Sequence, residues 1–219
     1  MFGGWEDALK KTRIASERCE LKRAAFRCAI RSAIEALSPQ RLVFLDECGF
    51  SLNLHRLYGW AIGGERCIET VPFNKGINRS VLGAYSLPGQ DNPTGLWALW
   101  QKLGAWNREC FEAFLTDGLL PRLPPKCVLV LDNARIHHGV KIKEAVEKAG
   151  HTLLYLPPYS PDYNPIELVW SWLKNMVRNL SPRTDLERES AIELAGKQIP
   201  PLNAAGWFEK CFLTPLLSD

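Results

Sequence analysis

No apolar run in these 219 residues reaches the roughly 18 residues that a membrane-spanning helix needs. The opening Met1-Phe2-Gly3-Gly4-Trp5-Glu6-Asp7 lacks the basic-then-apolar order of a secretory leader. No two cysteines are spaced Cys-x-x-Cys, and the seven are odd in number and scattered at 19, 28, 48, 67, 110, 127 and 211. A structural zinc site and a disulfide framework are therefore unsupported. Most of these cysteines are expected to be buried small hydrophobes in a reducing compartment. There is no internal repeat and no low-complexity tract. These absences point to a soluble, intracellular, cytoplasmic protein with no membrane partner.

What is present supports one substantial core. The chain is 46% hydrophobic, with eight Trp, nine Phe and five Tyr, too apolar and aromatic for disorder over most of its length. The net charge is only +3, but residues 1–41 carry +4 and the remainder −1. The amino-terminal arm holds the positive excess. It is either a phosphate-contacting segment or an ordinary solvated helix face.

Periodicity divides the chain into alternating elements. Residues 16–37 read as a helix capped by Ser16, with Phe26, Ile30, Ala33, Ile34 and Leu37 on one face. A strand over 41–46 follows, then a hairpin or loop insertion over 53–70. Strands are expected at 80–87 and 96–100, separated by a Pro-Gly-Gln-Asp-Asn-Pro turn. Asn107 caps a helix that stops before Pro121. After it come a strand at 127–131, a helix at 140–149 with Ile142, Ala145, Val146 and Ala149 inward, and a strand at 152–156. The helix from Pro165 to about Leu180 buries Ile166, Val169, Trp170, Leu173 and Val177. The tail holds one or two short helices, whose apolar patch at Trp207–Phe212 either covers the sheet or joins two protomers. The late strand–helix alternation predicts an α/β layer architecture.

Three acids carry the chemistry. Asp46 follows Leu42-Val43-Phe44-Leu45, and Asp132 follows Cys127-Val128-Leu129-Val130-Leu131. Glu167 stands near the start of an amphipathic helix, with thirty-four residues between it and Asp132. Each has a plain structural reading. With Asn164 as cap and Pro165 first in the helix, Glu167 completes a capping box. Asp132 and Asp46 can be strand-end residues that hold turns. Glu47, next in the strand, points to the opposite face. Together the acids read differently. If the two strands are parallel neighbours about 4.8 Å apart, the two carboxylates repel and one takes up a proton. Divalent cations with hard oxygen ligands, Mg²⁺ or Mn²⁺, relieve that conflict. A pair of such ions supports in-line phosphoryl displacement.

Leu-Asp46-Glu-Cys-Gly, Leu-Asp132-Asn133-Ala-Arg-Ile-His137-His138, Leu156-Pro-Pro-Tyr159-Ser160-Pro161 and Asn164-Pro165-Ile166-Glu167-Leu-Val-Trp170 together resemble the DDE transposases of the mariner-like superfamily, in its bacterial insertion-sequence branch. The resemblance runs from about Arg41 to Leu180. It implies an RNase H-like fold: a five-stranded mixed sheet flanked by helices on both faces, with the first and fourth strands adjacent and parallel and a hairpin insertion after the first. It implies that Asp46, Asp132 and Glu167 hold two Mg²⁺ (or Mn²⁺) ions. It further implies that the chain cleaves transposon ends and joins the freed 3′-hydroxyl to target DNA, as a homodimer associated with the nucleoid. Where the family has Thr, this chain has Cys48. Residues 10–37 resemble the linker helix that follows the family's helix-turn-helix modules. The expected division is a basic linker arm over 1–40, the catalytic domain over 41–181 and a helical tail over 182–219. An upstream helix-turn-helix segment is then required for end recognition.

Other residues are candidates around the triad. His137 and His138 can each meet the scissile phosphate or a water, or be loop histidines. Asn133 and Asn164 can orient the acids, though Asn164 can equally be a cap. Lys174 and Arg178 lie four apart on one helix face and can reach one DNA backbone, or be solvated. Arg56, Arg66, Lys75 and Arg79 flank the insertion, which in the family contributes to DNA contact or assembly. Tyr58 and Trp60 within it stack on a base or pack. Two other functions fit the same residues: a nuclease of this fold acting on RNA–DNA hybrids, and a silent or truncated remnant that only binds DNA. Replacing Asp132 with Asn is expected to remove activity and leave the fold intact or slightly more stable.

Overall fold

The computed structural model describes residues 15–56, 58–70 and 73–216. Lys10, Lys11 and Arg13 of the basic arm lie outside them. Five strands form one mixed sheet: β1 (Leu42–Phe50), β2 (Arg79–Tyr85), β3 (Leu96–Leu103), β4 (Val128–Leu131) and β5 (Thr152–Tyr155), in the order β3-β2-β1-β4-β5. β1 pairs antiparallel with β2 and parallel with β4, and β5 is parallel to β4. β1 is therefore central and covered on both sides, which is why Leu42–Leu45 are all buried.

Alternation along β1 sorts its side chains between two cores. Leu42, Phe44 and Cys48 join one cluster with α1 (Glu20–Leu37), α4 (Ile166–Leu180), α5 (Asp185–Lys197) and α6 (Pro201–Leu216). Val43 and Leu45 join the other with α2 (Arg108–Ala113) and α3 (Val140–Lys148). Helices thus lie on both faces of the sheet. α4 buries Ile166, Val169, Trp170, Leu173 and Val177, the five residues its spacing predicts.

Several expectations change. α1 starts at Glu20, and Ser16 bonds Glu17 instead of capping the helix. β1 runs four residues past the expected end, because β2 continues to pair with it as far as Phe50. Asn107 caps α2 through Cys110 N (2.8 Å), but the helical path does not stop before Pro121. It continues through a π turn at Phe114–Leu119 and a 3₁₀ turn at Leu120–Arg122. There Gly118 lets the Trp100 indole approach, since a Cβ would stand 2.8 Å from it. Ala149 faces solvent, while Gly150 (φ +80°) ends α3 as expected. Only Cys48, Cys127 and Cys211 are buried, and all seven cysteines are free.

The insertion between β1 and β2 takes the loop form: no described residue between Ser51 and Asn78 is in a strand. Arg188 ties its two ends to α5. This guanidinium, 2% exposed, donates to the carbonyls of Phe50 and Ile77 (both 2.9 Å) and to Asp185. The tail is part of the core and not an appendage. Its helices span 13 and 16 residues, and Phe208 and Phe212 pack on Phe44, with ring centroids 5.8 and 5.3 Å away. Tyr85 Oη donates to Ala204 O, fixing α6 over β2. The Trp207–Phe212 patch therefore covers the sheet. No helix among the described residues is long and apolar enough to cross a membrane.

Candidate active site

The parallel ladder between β1 and β4 ends at Phe44↔Val130. Asp46 and Asp132 each lie two residues further on, so the strand register brings the acids to the same edge. Asp46 stands within β1 where the β4 side has been vacated, and Asp132 just beyond the end of β4. Glu167 comes to the same place from the first turn of α4. The three acids line one open cleft of about 400 Å³, with Asn133, Ala134, Asn164 and the segment Leu156–Pro161.

Each aspartate is held differently. The Asp132 Oδ1 atom accepts from Ala134 N (2.9 Å) and from His137 Nδ1 (2.6 Å). Both bonds use one oxygen, so Oδ2 remains for the cleft. The His137 bond is the main cause holding Asp132 below the usual carboxylate range. His137 itself is 1% exposed, against Phe111 on the far side of the sheet edge. Burial alone would lower its pKa, but Asp132 and Glu47 outweigh that and hold it up at about 9. Glu47 Oε1 lies 3.6 Å from His137 Nε2, an ion-pair separation and too long for a hydrogen bond. Glu47 does point to the face opposite Asp46, as alternation requires.

Asp46 has the contrary environment. Burial, with repulsion from Glu167, pushes its carboxyl up to about 7, although Trp170 Nε1 donates to Oδ2 (3.1 Å). Glu167 is also pushed up, by desolvation first; Asp132 adds to this and Lys174 opposes it. Glu167 is exposed at the cleft mouth, so its perturbation is the weaker one. The capping reading of Glu167 is not realised: Asn164 makes no side-chain cap, and Glu167 N donates to the Asn164 carbonyl.

The acids share the cleft without forming a closed cage. Among the described residues no three His, Cys, Asp or Glu side chains are grouped closely enough to surround one ion. Asp132 is turned toward His137 and Asp46 toward Trp170, the arrangement mutual repulsion favours. The donor set nevertheless fits a hard divalent cation: carboxylate oxygens only, one of them forced toward protonation by burial and a like-charged neighbour. Positive charge there would relieve the strain on Asp46, against which no cation among the described residues acts.

The other candidate residues separate. Asn133 Nδ2 donates to Leu156 O (2.6 Å) and so braces the cleft wall. His138 leaves the cleft and stacks on Tyr155 (4.5 Å) beside a different cavity, toward α3. Lys174 stands against Cys48 and close to Glu167, two turns along α4. Arg178 donates to Asn175 Oδ1 (2.7 Å). Arg56, Arg66 and Lys75 are exposed on the insertion, as are Tyr58 and Trp60. Arg79 corrects the expected basic surface. It is 5% exposed and paired with Asp185 and Glu189 (3.0 Å to the latter), so it is a staple for α5 and not a DNA contact. Arg23 of the arm is likewise buried, bonded twice to Asp162 (3.0 and 2.6 Å). The roles of Trp170 and Glu47 and the Asn133 bond to the Leu156 carbonyl have no local signal in the sequence, since the indole of Trp170 meets a carboxylate 124 residues away.

No protein of curated function matches the chain. Among solved structures it is similar to a Mos1 transposase paired-end complex with left transposon end, at 18% identity and TM-score 0.68 over 96% of this chain and 64% of that one. It is similar to a mariner Mos1 paired-end complex with Mg, at 16% identity and TM-score 0.69 over 98% of this chain and 65% of that one. The catalytic domain of Mos1 mariner transposase gives 12% identity and TM-score 0.64, over 94% of this chain and 92% of that one. At these identities the likeness is one of fold, the RNase H-like open mixed sheet. This chain spans less than two thirds of the two longer proteins. Residues 41–188, a stretch that contains the whole sheet and all three cleft acids, match the DDE superfamily endonuclease family, and the chain belongs to that family.

Proposed function

We propose that this chain is the metal-dependent catalytic core of a DNA transposase, which hydrolyses phosphodiesters at transposon ends and joins the 3′-hydroxyl to target DNA. The observation that carries the proposal is the meeting of Asp46, Asp132 and Glu167 in one cleft, with Asp46 driven up to about 7 by burial and Glu167. Two Mg²⁺ or Mn²⁺ ions would be held by these three carboxylates and would supply Lewis-acid polarisation of a phosphoryl oxygen. The rest falls to the protein. His137 and Ala134 N orient Asp132 so that one oxygen faces the cleft. Trp170 orients Asp46. Asn133 holds the opposite wall. Lys174 offers a positive charge on the Glu167 side, where the phosphate backbone would run, and Arg178, Arg56, Arg66 and Lys75 would extend that contact. Solved structures of this fold include Mos1 paired-end complexes with left transposon end, with Mn and with Mg, which supports the same partners here. An insertion-sequence origin, a homodimer, an upstream helix-turn-helix segment and action at the nucleoid belong to the same reading.

The test is nicking of supercoiled plasmid and of duplex and RNA–DNA hybrid oligonucleotides in Mg²⁺ or Mn²⁺. The expected result is duplex DNA cleavage that EDTA abolishes and that Asp46→Asn, Asp132→Asn and Glu167→Gln each remove. Cleavage of the hybrid alone would reject the transposase reading in favour of a hybrid nuclease. Correct folding without cleavage, even when an end-binding segment is supplied, would leave a DNA-binding remnant.

A further inference from the structure

A groove of about 580 Å³, separate from the acid cleft, runs along the outer edge of the sheet between β5 and α3. β5 ends the strand order, so only one of its two edges is paired. Thr152 N donates to Cys127 O (3.0 Å) and Leu156 N to Leu131 O (2.8 Å), so the even-numbered residues of β5 face β4. The N–H and C=O groups of Leu153 and Tyr155 therefore point away from the sheet. Among the described residues nothing bonds them. The open edge is bounded on both sides. His151 N already donates to Val146 O (3.0 Å), and Pro157 has no N–H to offer.

A free strand edge is a template for another strand. A loose peptide would have to be ordered residue by residue to fill so short an edge, and these few hydrogen bonds do not offset that entropy. A strand already held in a sheet has no such cost. A second copy of β5 is such a strand, and the edge is self-complementary. In an antiparallel pair centred on Leu154, Leu153 exchanges both backbone bonds with the partner subunit's Tyr155, and Tyr155 with the partner subunit's Leu153. Every free group is matched, and His151 and Pro157 fall outside the ladder. The helix above matches too. α3 presents Val140, Lys143 and Glu147 to the groove as one stripe. Val140 is 72% exposed, and Lys143 and Glu147 are exposed and 3.7 Å apart. A two-fold axis at Leu154 runs α3 antiparallel to its counterpart on the same face of the sheet. Equal numbers of cations and anions then gather around the axis.

Independently of the nuclease reading, we infer that the free edge of β5, roofed by α3, is the surface through which two copies of this chain join. β5 pairs antiparallel with its own counterpart about Leu154, and two five-stranded sheets become one of ten strands. The contact covers Val140 and satisfies the outward groups of Leu153 and Tyr155. The acid clefts open at the carboxyl ends of β4 and β5, so in the pair they face opposite ways along the strands. Tyr155 joins the contact to the cleft: its Oη donates to His137 O (3.0 Å), and His137 holds Asp132.

Sedimentation velocity of the full chain over a dilution series, without metal or DNA, tests this. Wild type should sediment as a dimer that dissociates on dilution. Leu153→Pro removes a free N–H and leaves the β4 ladder its bonds; it should weaken the dimer about tenfold or more. Lys143→Glu and Glu147→Lys should each weaken it to a similar degree, by gathering like charges at the axis. The two reversals combined should restore wild-type association. Leu154→Cys sets two thiols opposite each other in a non-hydrogen-bonded pair, with Cα atoms about 4.5 Å apart, within reach of a disulfide. Mild oxidation should give a covalent dimer in which peptide mapping finds the introduced thiol joined to itself. If Leu153→Pro does not fold, the charge reversals and the cross-link decide. A monomer at every concentration overturns the interface. So does a dimer that the charge reversals leave unchanged, or one that Leu154→Cys does not cross-link, since either would place self-association on another face. None of these measurements involves cleavage, so their outcome is separate from that of the nuclease.

Discussion

Gly83 is the position where the sheet makes room for the edge that carries the acids. It pairs directly with Asp46 across the β1–β2 ladder. A Cβ there would stand 2.5 Å from Trp170 Cη2 and 3.2 Å from Cζ2, so the ring sits where a side chain would be. Trp170 is 2% exposed, and its indole NH is the donor to Asp46. In Gly83→Ala the ring must move, and it cannot do so freely inside the core. Overpacking of this kind costs about 1–3 kcal/mol. For a chain of this size each kcal/mol lowers Tm by roughly 2–4 °C. Function should suffer more than stability, because a displacement near 1 Å at a reacting group can cost about 10²-fold in rate. Thermal denaturation and Mn²⁺-dependent nicking measured on the same preparations separate the two effects. Gly196→Ala is the control: its Cβ would meet the flexible tip of Leu99 at 2.8 Å, between α5 and β3 and away from the acids. It should change Tm and nicking little, because the Leu99 tip can yield and Ala is favoured over Gly inside a helix by about 1 kcal/mol. Adding Trp170→Phe to Gly83→Ala should recover Tm, since the shorter ring clears the methyl, but not activity, since the donor is gone. A Gly83→Ala protein with wild-type Tm and wild-type nicking would refute the reasoning.

Other outcomes follow from the same geometry. Asp46→Asn should raise the Tm of the metal-free protein at pH 8, because it removes a buried and repelled charge; the distance from 3.8 to about 7 sets a ceiling of ~4 kcal/mol, and the variant should lose any Tm increase that Mg²⁺ or Mn²⁺ gives wild type. Asp132→Asn should lower Tm instead, contrary to the expectation from sequence, because the Asp132 carboxylate is the close partner of buried, charged His137; a rise in its Tm would overturn that assignment. Asp185 is held down to about 2 by Arg79 and Arg188, so its contribution to stability is complete above pH ~4 and is lost as the pH falls toward about 2; Asp185→Asn should flatten acid denaturation across that window. Cys28 and Cys67 are exposed, whereas burial pushes the thiols of Cys48, Cys127 and Cys211 upward; a thiol reagent should label the first two fastest, and mass spectrometry of a brief reaction would check it.

Much of the fold was legible because hydrophobic period and breaker residues act locally. The five inward residues of α4, the Asn107 cap and the Gly150 stop all follow from short-range patterns. What was not legible depends on partners distant in the chain. β1 outruns its expected end because β2 pairs with it beyond Asp46. The π turn at Phe114–Leu119 continues a helix past the expected stop, and it packs against a Trp100 that no local window contains. The tail helices read as minor because α5 alternates weakly between faces, yet its Ala191, Ile192 and Ala195 complete the core. Arg79 read as surface charge for the same reason: the acids that bury it, Asp185 and Glu189, arrive more than a hundred residues later.

The acid site divides along the same line. Its membership could be read only through the motifs that resemble the family, since each acid taken alone also reads as a cap or a strand-end residue and the order of elements does not make β1 and β4 neighbours. Its electrostatics could not, because they are set by groups that differ little in sequence terms. Asp46 and Asp132 follow nearly interchangeable strands, yet one meets an indole and a neighbouring carboxylate while the other meets a buried histidine and a backbone NH. The consequence is asymmetric. Asp132 arrives charged and pointed, so its role is met before any cation binds. Asp46 is held near neutrality by burial and by Glu167, so on the proposed function it would become a ligand only as positive charge enters the cleft. The two halves of the site would then be unequal in affinity. The Asp132 carboxylate should anchor the first ion, and the Asp46–Glu167 pair should gain most from it. An isothermal titration with Mn²⁺ that gave a single uniform phase, unchanged by Asp46→Asn, would contradict this order.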